Sequence, residues 1–234
     1  MVRDLYGESS ISTMMKVMVF LFVETRGAII SILLSKLPKD IKMTKLSEVT
    51  MSRCYWADTN ELFVPYHDEE WGVPTHDDRL LFEMLNLEGA QAGLSWLIVL
   101  KKRDRYREVF DNFEATKIAH YDQAKRDELL ADAGIVRNRL KVNAVIENAK
   151  TYLDIIENGS SFNEYIWSFV DGKPLQHKDA AKAVVISQQM SKALLKRGFK
   201  FVGPTICYAF MQAVGMINDH ENYCFRTKEV SRLN

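Results

Sequence analysis

Apolar residues recur at steps of three and four along most of the chain after residue 77. The pattern begins where Leu81, Met84 and Leu85 follow Asp77 and Asp78, either of which can cap a helix. Later segments repeat this spacing between short connections that contain glycine or proline. We find no alternating run long enough for a sheet and no internal repeat. The pattern therefore predicts an all-α fold of roughly eight helices around one or two cores.

One carboxylate stands among aromatic residues in the first part of this pattern. Gly89 and Gly93 should interrupt the first helix, which resumes from about Leu94. Glu88 then lies between an apolar helix end and a glycine, a place that suits a hydrogen-bond acceptor facing a pocket. The aromatic residues suited to holding a flat ligand there are Phe63, Tyr66, Trp71 and Trp96. Each alone is more often a core residue, because aromatic side chains usually bury area that stabilises the fold.

Residues 1–50 differ from the rest of the chain. They carry two apolar runs, VMVFLFV and AIISILL, separated by polar residues. Neither run approaches the ~20 residues that a membrane-spanning helix needs, and no clear cleavage site of small residues follows them. We therefore predict that residues 1–50 are a poorly ordered or non-functional extension. Residues 51–234 would form the functional domain, and we expect no membrane partner.

The composition is that of an ordinary globular protein, with 47% hydrophobic and 26% charged residues. The formal net charge is zero, so any nucleic-acid partner must be met by a local basic patch. Three cysteines are too few for a disulfide framework, and an odd count favours a reducing compartment. We expect a cytoplasmic monomer.

The best candidate for a basic patch lies at a helix boundary. The segment ADAGIVRNRLK places Gly134 between two helices and follows it with Arg137, Arg139 and Lys141. A helix start supplies backbone N–H groups, which together with cations form a phosphate site. A handful of such contacts is enough for nonspecific duplex binding. The earlier run KKRDRYR is interleaved with acids, and a solvated helix face is its simpler interpretation.

Cysteine and histidine residues occur in two widely separated pairs. Cys54 and His67 lie in CYWADTNELFVPYH, and His220 and Cys224 lie in NDHENYC. Two thiols and two imidazoles would complete a tetrahedral zinc shell and leave no open position for a substrate. Neither spacing is that of a zinc finger, and a cysteine in an apolar stretch is more often a small buried hydrophobe, which is what we expect of Cys207 in TICYAF. The spacing alone leaves both interpretations open.

Several long motifs go beyond such generic patterns. They are RCYWADTNELFVPYHDEEWGVP, LFEMLNLEGAQAGLSWLIVLKKR, AGIVRNRLKVNAVIENA, WSFV, MSKALLKRGFKFVG, TICYAFMQAVGMINDH and the closing His–x3–Cys. Together they closely resemble the 3-methyladenine DNA glycosylase I family, often called Tag, over about residues 51–226. The chain departs from the family pattern in residues 1–50, in residues 171–190 and in the tail after Cys224.

The resemblance implies a fold of the helix-hairpin-helix glycosylase superfamily. It implies an enzyme that hydrolyses the N-glycosidic bond of 3-methyladenine in alkylated double-stranded DNA, without lyase activity. It also implies one structural zinc ion per chain, joining the N- and C-terminal segments of the domain. The ligands of that zinc would be Cys54, His67, His220 and Cys224.

The same resemblance implies roles for the aromatic block and the basic hairpin. Glu88 matches the acid that recognises the base, and Tyr66 and Trp96 match aromatic residues of the lesion pocket, with Phe63 and Trp71 beside them. Many members have tyrosine where Phe63 stands, so one hydroxyl is missing here. AGIVRNR would be the hairpin that contacts the DNA backbone.

Three other functions compete with this interpretation. The first is a zinc-stabilised DNA-binding module without catalysis, in which Glu88 and the rings are core. The second is a zinc hydrolase, which a complete Cys2His2 shell disfavours because such enzymes keep a ligand position open. The third is a glycosylase of altered substrate range, or one that residues 1–50 inactivate. No residue stands out as the base that activates water; Asp154 follows the hairpin, but a surface acid is its simpler interpretation.

Overall fold

Helices form most of the computed structural model, which describes residues 52–233. The α-helices, in chain order, are α1 (Phe63–Pro65), α2 (Asp78–Gln91), α3 (Trp96–Leu100), α4 (Arg103–Val109), α5 (Ala115–Ile118), α6 (Gln123–Ala131), α7 (Arg139–Glu157), α8 (Phe162–Trp167), α9 (Ala180–Arg197), α10 (Pro204–Ala213) and α11 (Phe225–Val230). A π-helical turn, Tyr66–Glu70, continues α1. Single 3₁₀ turns cover Ala57–Thr59, Asp111–Phe113, Ser168–Val170 and His177–Asp179.

One short parallel ladder accompanies the helices. Strands β1 (Leu175–Gln176) and β2 (Ile217–Asn218) pair Leu175 with Ile217 and Gln176 with Asn218. Two residues per strand are too few to leave an alternating pattern, so the sequence did not indicate this ladder. The all-α prediction is confirmed in its helical part, although the described residues form eleven α-helices, where roughly eight were expected, and this ladder besides. The predicted extension, residues 1–50, lies outside the described residues. Within 52–233, no helix is long and apolar enough to span a bilayer.

Helix α2 begins where the sequence predicts and ends later than expected. The Asp77 side chain caps it by accepting a hydrogen bond of 2.8 Å from the Leu80 N–H. Gly89 does not interrupt the helix. Its lack of a side chain allows close packing instead, since a Cβ at Gly89 would lie 3.1 Å from the Cβ of Phe201. The break falls at Gly93, which has a φ of +73°. Beyond it the predicted single helix forms as two, α3 and α4.

Two neighbouring cores hold the helices together. The larger contains fully buried side chains from α2, α7, α8, α9 and α10, among them Phe82, Ile146, Phe162, Leu194 and Phe210. The smaller surrounds Tyr66 and Trp71 and contains Cys54, Ala213 and Cys224. Cys207 is buried in the larger core, as predicted, and its thiol donates to the Val202 carbonyl.

Gly215 provides a test of how tightly the segment after α10 packs. It has a φ of +74°, and a Cβ there would overlap the backbone of Val73 and Pro74. We expect Gly215→Ala to destabilise the fold by about 3 kcal/mol or more. The backbone of Val73 and Pro74 would have to move to make room for the methyl group, and alanine is strained at a positive φ. Gly159 is the matched control. It has a φ of +87° with nothing within 4 Å of a Cβ, so Gly159→Ala should cost only about 1–2 kcal/mol. Urea unfolding measures both, and equal costs would contradict the packing argument.

Candidate functional site

A cavity of about 370 Å³ opens beside the smaller core, within the size range of small-molecule sites. All five residues that the sequence analysis assigned to a base pocket line this one cavity. The complete lining is Trp56, Phe63, Tyr66, Trp71, Glu88, Gln91, Trp96, Ala209 and Gln212. The cavity is thus mostly aromatic, with one carboxyl and two amide side chains.

Edge-to-face packing fixes the aromatic walls. The Trp56 ring meets Trp71 at a centroid distance of 5.1 Å and an interplanar angle of 80°. It meets Phe63 at 5.7 Å and 84°. Tyr66 and Trp96 form a second pair, 5.3 Å apart and tilted by 43°. Such pairs stabilise one another beyond the area they bury, so the packing of the rings sets the shape of the cavity walls.

Glu88 is a buried acid without a partner. It lies in the last turns of α2, is 3% exposed, and its Oε2 has no hydrogen bond. Glu83, one turn earlier and 1% exposed, pairs instead with Arg79 and Arg107. Burial raises the pKa of Glu88 to about 8. Near neutral pH the side chain is therefore largely a neutral carboxylic acid, and a cation beside it would favour the carboxylate.

The π-helical turn places consecutive residues in two different sites. Tyr66 begins this turn and faces the cavity, whereas His67 points into a cluster of buried cysteine and histidine residues. The turn closes with a hydrogen bond of 2.8 Å from the Trp71 N–H to the Tyr66 carbonyl. Trp71 then lines the cavity. One short segment therefore serves the ring walls and the cluster together.

The cluster consists of Cys54, His67, His220 and Cys224, the four residues that the sequence analysis paired across the chain. All four are buried, and their potential ligand atoms lie within 4.8 Å of one another. Cys54 Sγ and Cys224 Sγ each lie 3.6 Å from His220 Nδ1. Cys224 Sγ is 3.4 Å from His67 Nε2. Four soft or imidazole ligands in this arrangement could hold a metal ion.

The second nitrogen of each imidazole is held by an oxygen acceptor. His67 Nδ1 lies 2.8 Å from an Asp68 oxygen, and the Asp68 carboxylate also accepts from Nε and Nη2 of Arg53. His220 Nε2 lies 3.0 Å from the Trp71 carbonyl. Metal-binding histidines usually show such outer partners, which orient the ring and fix the tautomer.

Burial favours the neutral forms of Cys54, His67 and His220. It raises the pKa of the Cys54 thiol to about 12 and lowers that of His220 to about 4. A bound cation would stabilise the thiolates that act as ligands.

The predicted backbone-binding residues separate into two groups. Arg137 is exposed on the connection between α6 and α7, and Arg139 is exposed as the first residue of α7. Gly134 lies on the same connection, but its N–H already donates to Asp132 over 2.6 Å. Lys141 conflicts with the expectation of a phosphate contact. It is 9% exposed and points back into the protein, because its ammonium group donates to two carbonyls near the end of α2.

Four lining residues were absent from the sequence prediction: Trp56, Gln91, Ala209 and Gln212. Trp56 had a signal, since it stands two residues after Cys54 in an aromatic segment. Gln212 had none, because α10 reaches the cavity only through tertiary packing. Its amide Nε2 donates to Asp219 over 2.7 Å.

Comparison with known proteins assigns this arrangement to a family. Residues 56–227 match the family model described as methyladenine glycosylase. The chain belongs to the methyladenine glycosylase family. It is 48% identical over 179 residues to DNA-3-methyladenine glycosylase 1 of Escherichia coli (strain K12), covering 74% of this chain and 96% of that protein. It is 44% identical over 178 residues to the DNA-3-methyladenine glycosylase of Haemophilus influenzae, with the same coverage.

Solved structures of family members share the fold. A crystal structure of 3-methyladenine DNA glycosylase I (TAG) has a TM-score of 0.71 and 49% identity, covering 74% of this chain and 98% of that one. The Staphylococcus aureus enzyme, described for its recognition of 3-methyladenine, has a TM-score of 0.71 and 36% identity, covering 76% and 97%. The family resemblance found in the sequence is confirmed.

The raised pKa of Glu88 predicts how stability depends on pH. The folded pKa of about 8 exceeds the ordinary 4.5, so the folded state retains a proton that the unfolded state releases between these values. The contribution of the Glu88 proton to the free energy of unfolding is fully present below about pH 4.5 and is lost as pH rises through about 8. As pH rises from 5 to 9, we expect the stability of Glu88→Gln relative to the wild type to increase by on the order of 4 kcal/mol. Urea unfolding at several pH values measures this, and a constant difference would contradict it.

Proposed function

We propose that this protein is a monofunctional DNA-3-methyladenine glycosylase. It hydrolyses the N-glycosidic bond of 3-methyladenine in alkylated double-stranded DNA and releases the free base. The observation that carries the proposal is the unpartnered, buried carboxyl group of Glu88 in a cavity walled by aromatic rings. Relatives at 44% and 48% identity that are named for this activity support it.

The chemistry of the cavity suits a flat, cationic base. Electron-rich rings favour a cation over its neutral parent by about 0.5–2 kcal/mol per contact. Glu88 would accept a hydrogen bond from the exocyclic amine of the base, and this bond strengthens when both partners are charged. The cationic base would lower the pKa of Glu88, so base binding and loss of the carboxyl proton are coupled. Unmethylated adenine is neutral, so it gains neither the cation–π attraction nor the charge-assisted hydrogen bond to Glu88.

The target nucleotide must leave the duplex before it reaches this cavity. Extrusion costs a few kcal/mol and is cheapest for a damaged base. Stacking against rings such as Tyr66 and Trp96 returns about 1–3 kcal/mol per base, which offsets that cost. We assign the connection between α6 and α7, together with the start of α7, to the DNA-binding hairpin. Gly134 allows the Arg105 side chain to approach closely, and exposed Arg137 and Arg139 meet phosphates.

Bond cleavage depends mainly on positioning and on the leaving group. Glu88 is the one carboxyl among the described residues that line the cavity, and no lysine lines it. Without a lysine there is no amine to form a Schiff base, which supports hydrolysis without lyase chemistry. Asp154 is exposed on α7 and lies outside the lining. A cationic base is already a good leaving group, so water can attack the sugar as the bond breaks.

We also propose that the cysteine–histidine cluster holds one structural zinc ion. Bond lengths of 2.3 Å to sulfur and 2.0–2.1 Å to nitrogen imply sulfur–nitrogen separations of about 3.6 Å in a tetrahedron. The separations here are 3.4–3.6 Å. Four protein ligands complete the shell, so the ion would join the two ends of the domain. By analogy with a disulfide closing a loop of this length, the gain is about 4–5 kcal/mol.

A zinc-stabilised DNA-binding module without catalysis is the alternative. It would retain the hairpin and the cluster and treat the rings as packing. The cavity and the unpaired Glu88 oxygen favour the glycosylase, because a packed core leaves neither. Residues 1–50 as an extension outside the glycosylase domain 51–234, a monomeric state and a cytoplasmic location stay predictions.

Release of free base from methylated duplex DNA tests the function. We expect 3-methyladenine in the supernatant after incubation with the wild-type protein, identified by chromatography. Glu88→Gln should fold and bind duplex normally but lose at least about 10²-fold in excision rate, because the isosteric amide cannot carry the carboxylate charge.

The matched control is Glu147→Gln, which removes an exposed acid on α7 and should leave excision unchanged. Full excision by Glu88→Gln would remove Glu88 from the mechanism. Failure of the wild type to release any base would favour the binding module.

Metal content tests the cluster independently of activity. Elemental analysis of the purified protein should give one zinc per chain. Cys54→Ser and Cys224→Ser should lose zinc and melt at a lower temperature, because an incomplete shell binds the ion weakly. Cys207→Ser removes the one other buried cysteine of the described chain and should retain full zinc. Equal zinc content in all three variants would contradict the assignment.

A further inference from the structure

Lys141 lies buried between the α6–α7 hairpin and the helix that carries Glu88. Its Nζ donates to the carbonyls of Ala90 and Ala92, each over 2.8 Å. No carboxylate among residues 52–233 pairs with it, and burial lowers its pKa. Burying an ammonium group without a carboxylate partner costs free energy of folding. This cost indicates that Lys141 serves a function at this position.

The two carbonyls belong to the end of α2. The last carbonyls of a helix have no partner within the helix, and a cation there also interacts favourably with the helix dipole. Ala92 has already left the helical conformation, with φ −43° and ψ 117°. Lys141 therefore fixes where α2 ends and the direction in which the chain leaves toward Trp96.

A second polar contact between α7 and α2 lies two turns further along α7. The Asn148 amide donates to the Asn86 side chain over 2.9 Å and accepts from the Lys200 N–H over 2.7 Å. Asn86 and Ala90 share one face of α2, whereas Glu88 lies about 200° around the helix from Asn86. Helix α7 thus contacts the face of α2 that carries Asn86 and Ala90, and the opposite face of α2 presents Glu88 to the cavity.

The hairpin and Lys141 belong to one rigid unit. Asn138 caps α7 by accepting from the N–H groups of Leu140 and Lys141. The Val136 N–H donates to the Tyr106 hydroxyl. Arg137 and Arg139 are therefore fixed relative to Lys141. When these arginines are displaced, the hydrogen bonds of the Lys141 ammonium group transmit the displacement to the end of α2.

We propose that Lys141 is a positioning residue that couples backbone binding at the hairpin to the geometry of the base cavity. The inference rests on the proposed glycosylase function. Lys141 sets the positions of Glu88 and Trp96 when the arginines hold the phosphates. Its loss should therefore slow excision while leaving duplex affinity largely intact.

Salt dependence separates this role from a direct phosphate contact. The logarithm of the duplex binding constant falls with the logarithm of salt concentration, with a slope of about −0.9 per phosphate neutralised. Lys141→Met should leave the slope for an unmethylated duplex unchanged. Arg139→Met should make it shallower by about one unit. A shallower slope for Lys141→Met would overturn the proposal in favour of a phosphate contact.

Single-turnover excision from methylated duplex, with protein in saturating excess, measures the coupling. Lys141→Met should slow it by about tenfold or more, since small displacements in a site are costly, with duplex affinity within about threefold of wild type. Lys141→Arg should restore most of the rate because it keeps the donor and charge. Lys150→Met, on the exposed face of α7, should match the wild type. An unchanged rate for Lys141→Met would overturn the proposal.

A destabilised control excludes a merely structural effect. Ile155 is fully buried at the far end of α7, so Ile155→Ala lowers stability without touching the hairpin or α2 end. It should excise at the wild-type rate well below its melting temperature. If it slowed excision as much as Lys141→Met, the positioning role would be wrong. Absence of base release by the wild type would instead refute the glycosylase function itself.

Discussion

The meeting of Cys54, His67, His220 and Cys224 in one buried cluster joins the first and last segments of the domain. The aromatic cavity depends on this contact. His67 follows Tyr66 directly, so the ring of Tyr66 and the imidazole share one backbone turn. His220 also lies 3.0 Å from the Trp71 carbonyl. A change in the cluster would therefore move two walls of the cavity.

Electrostatics inside the domain separate structural acids from the acid of the cavity. Glu83 is as buried as Glu88, yet two arginines neutralise it. Glu70, which is partly exposed, pairs with Arg103 alone. Glu88 has only aromatic and amide neighbours in the cavity, and burial alone raises its pKa. An uncompensated acid costs stability, and a cationic ligand removes that cost. Under the proposed function, selectivity for a charged lesion would follow from this unpaired acid.

Helix α2 connects the two halves of the proposed mechanism. One face of its C-terminal half packs on α7 through Asn148 and Lys141, and the other presents Glu88 to the cavity. Gly89 allows Phe201 to approach closely. The helix is thus held from several directions at the level of its functional carboxyl. Such support is what a site needs when catalysis depends on position more than on a reactive group.

The sequence alone determined the helical class, the cap at Asp77, the buried character of Cys207 and the family. These properties are local or are written in long motifs, so spacing and residue type suffice. Only the tertiary structure decided the direction of Lys141, the continuation of α2 through Gly89, and the presence of Gln212 in the cavity. Lys141 stands in a basic run that predicts a phosphate contact, yet its partners are carbonyls about 50 residues earlier in the chain. A periodic pattern records which face of a helix is buried, but not which distant group a buried polar atom meets, because that depends on how helices pack.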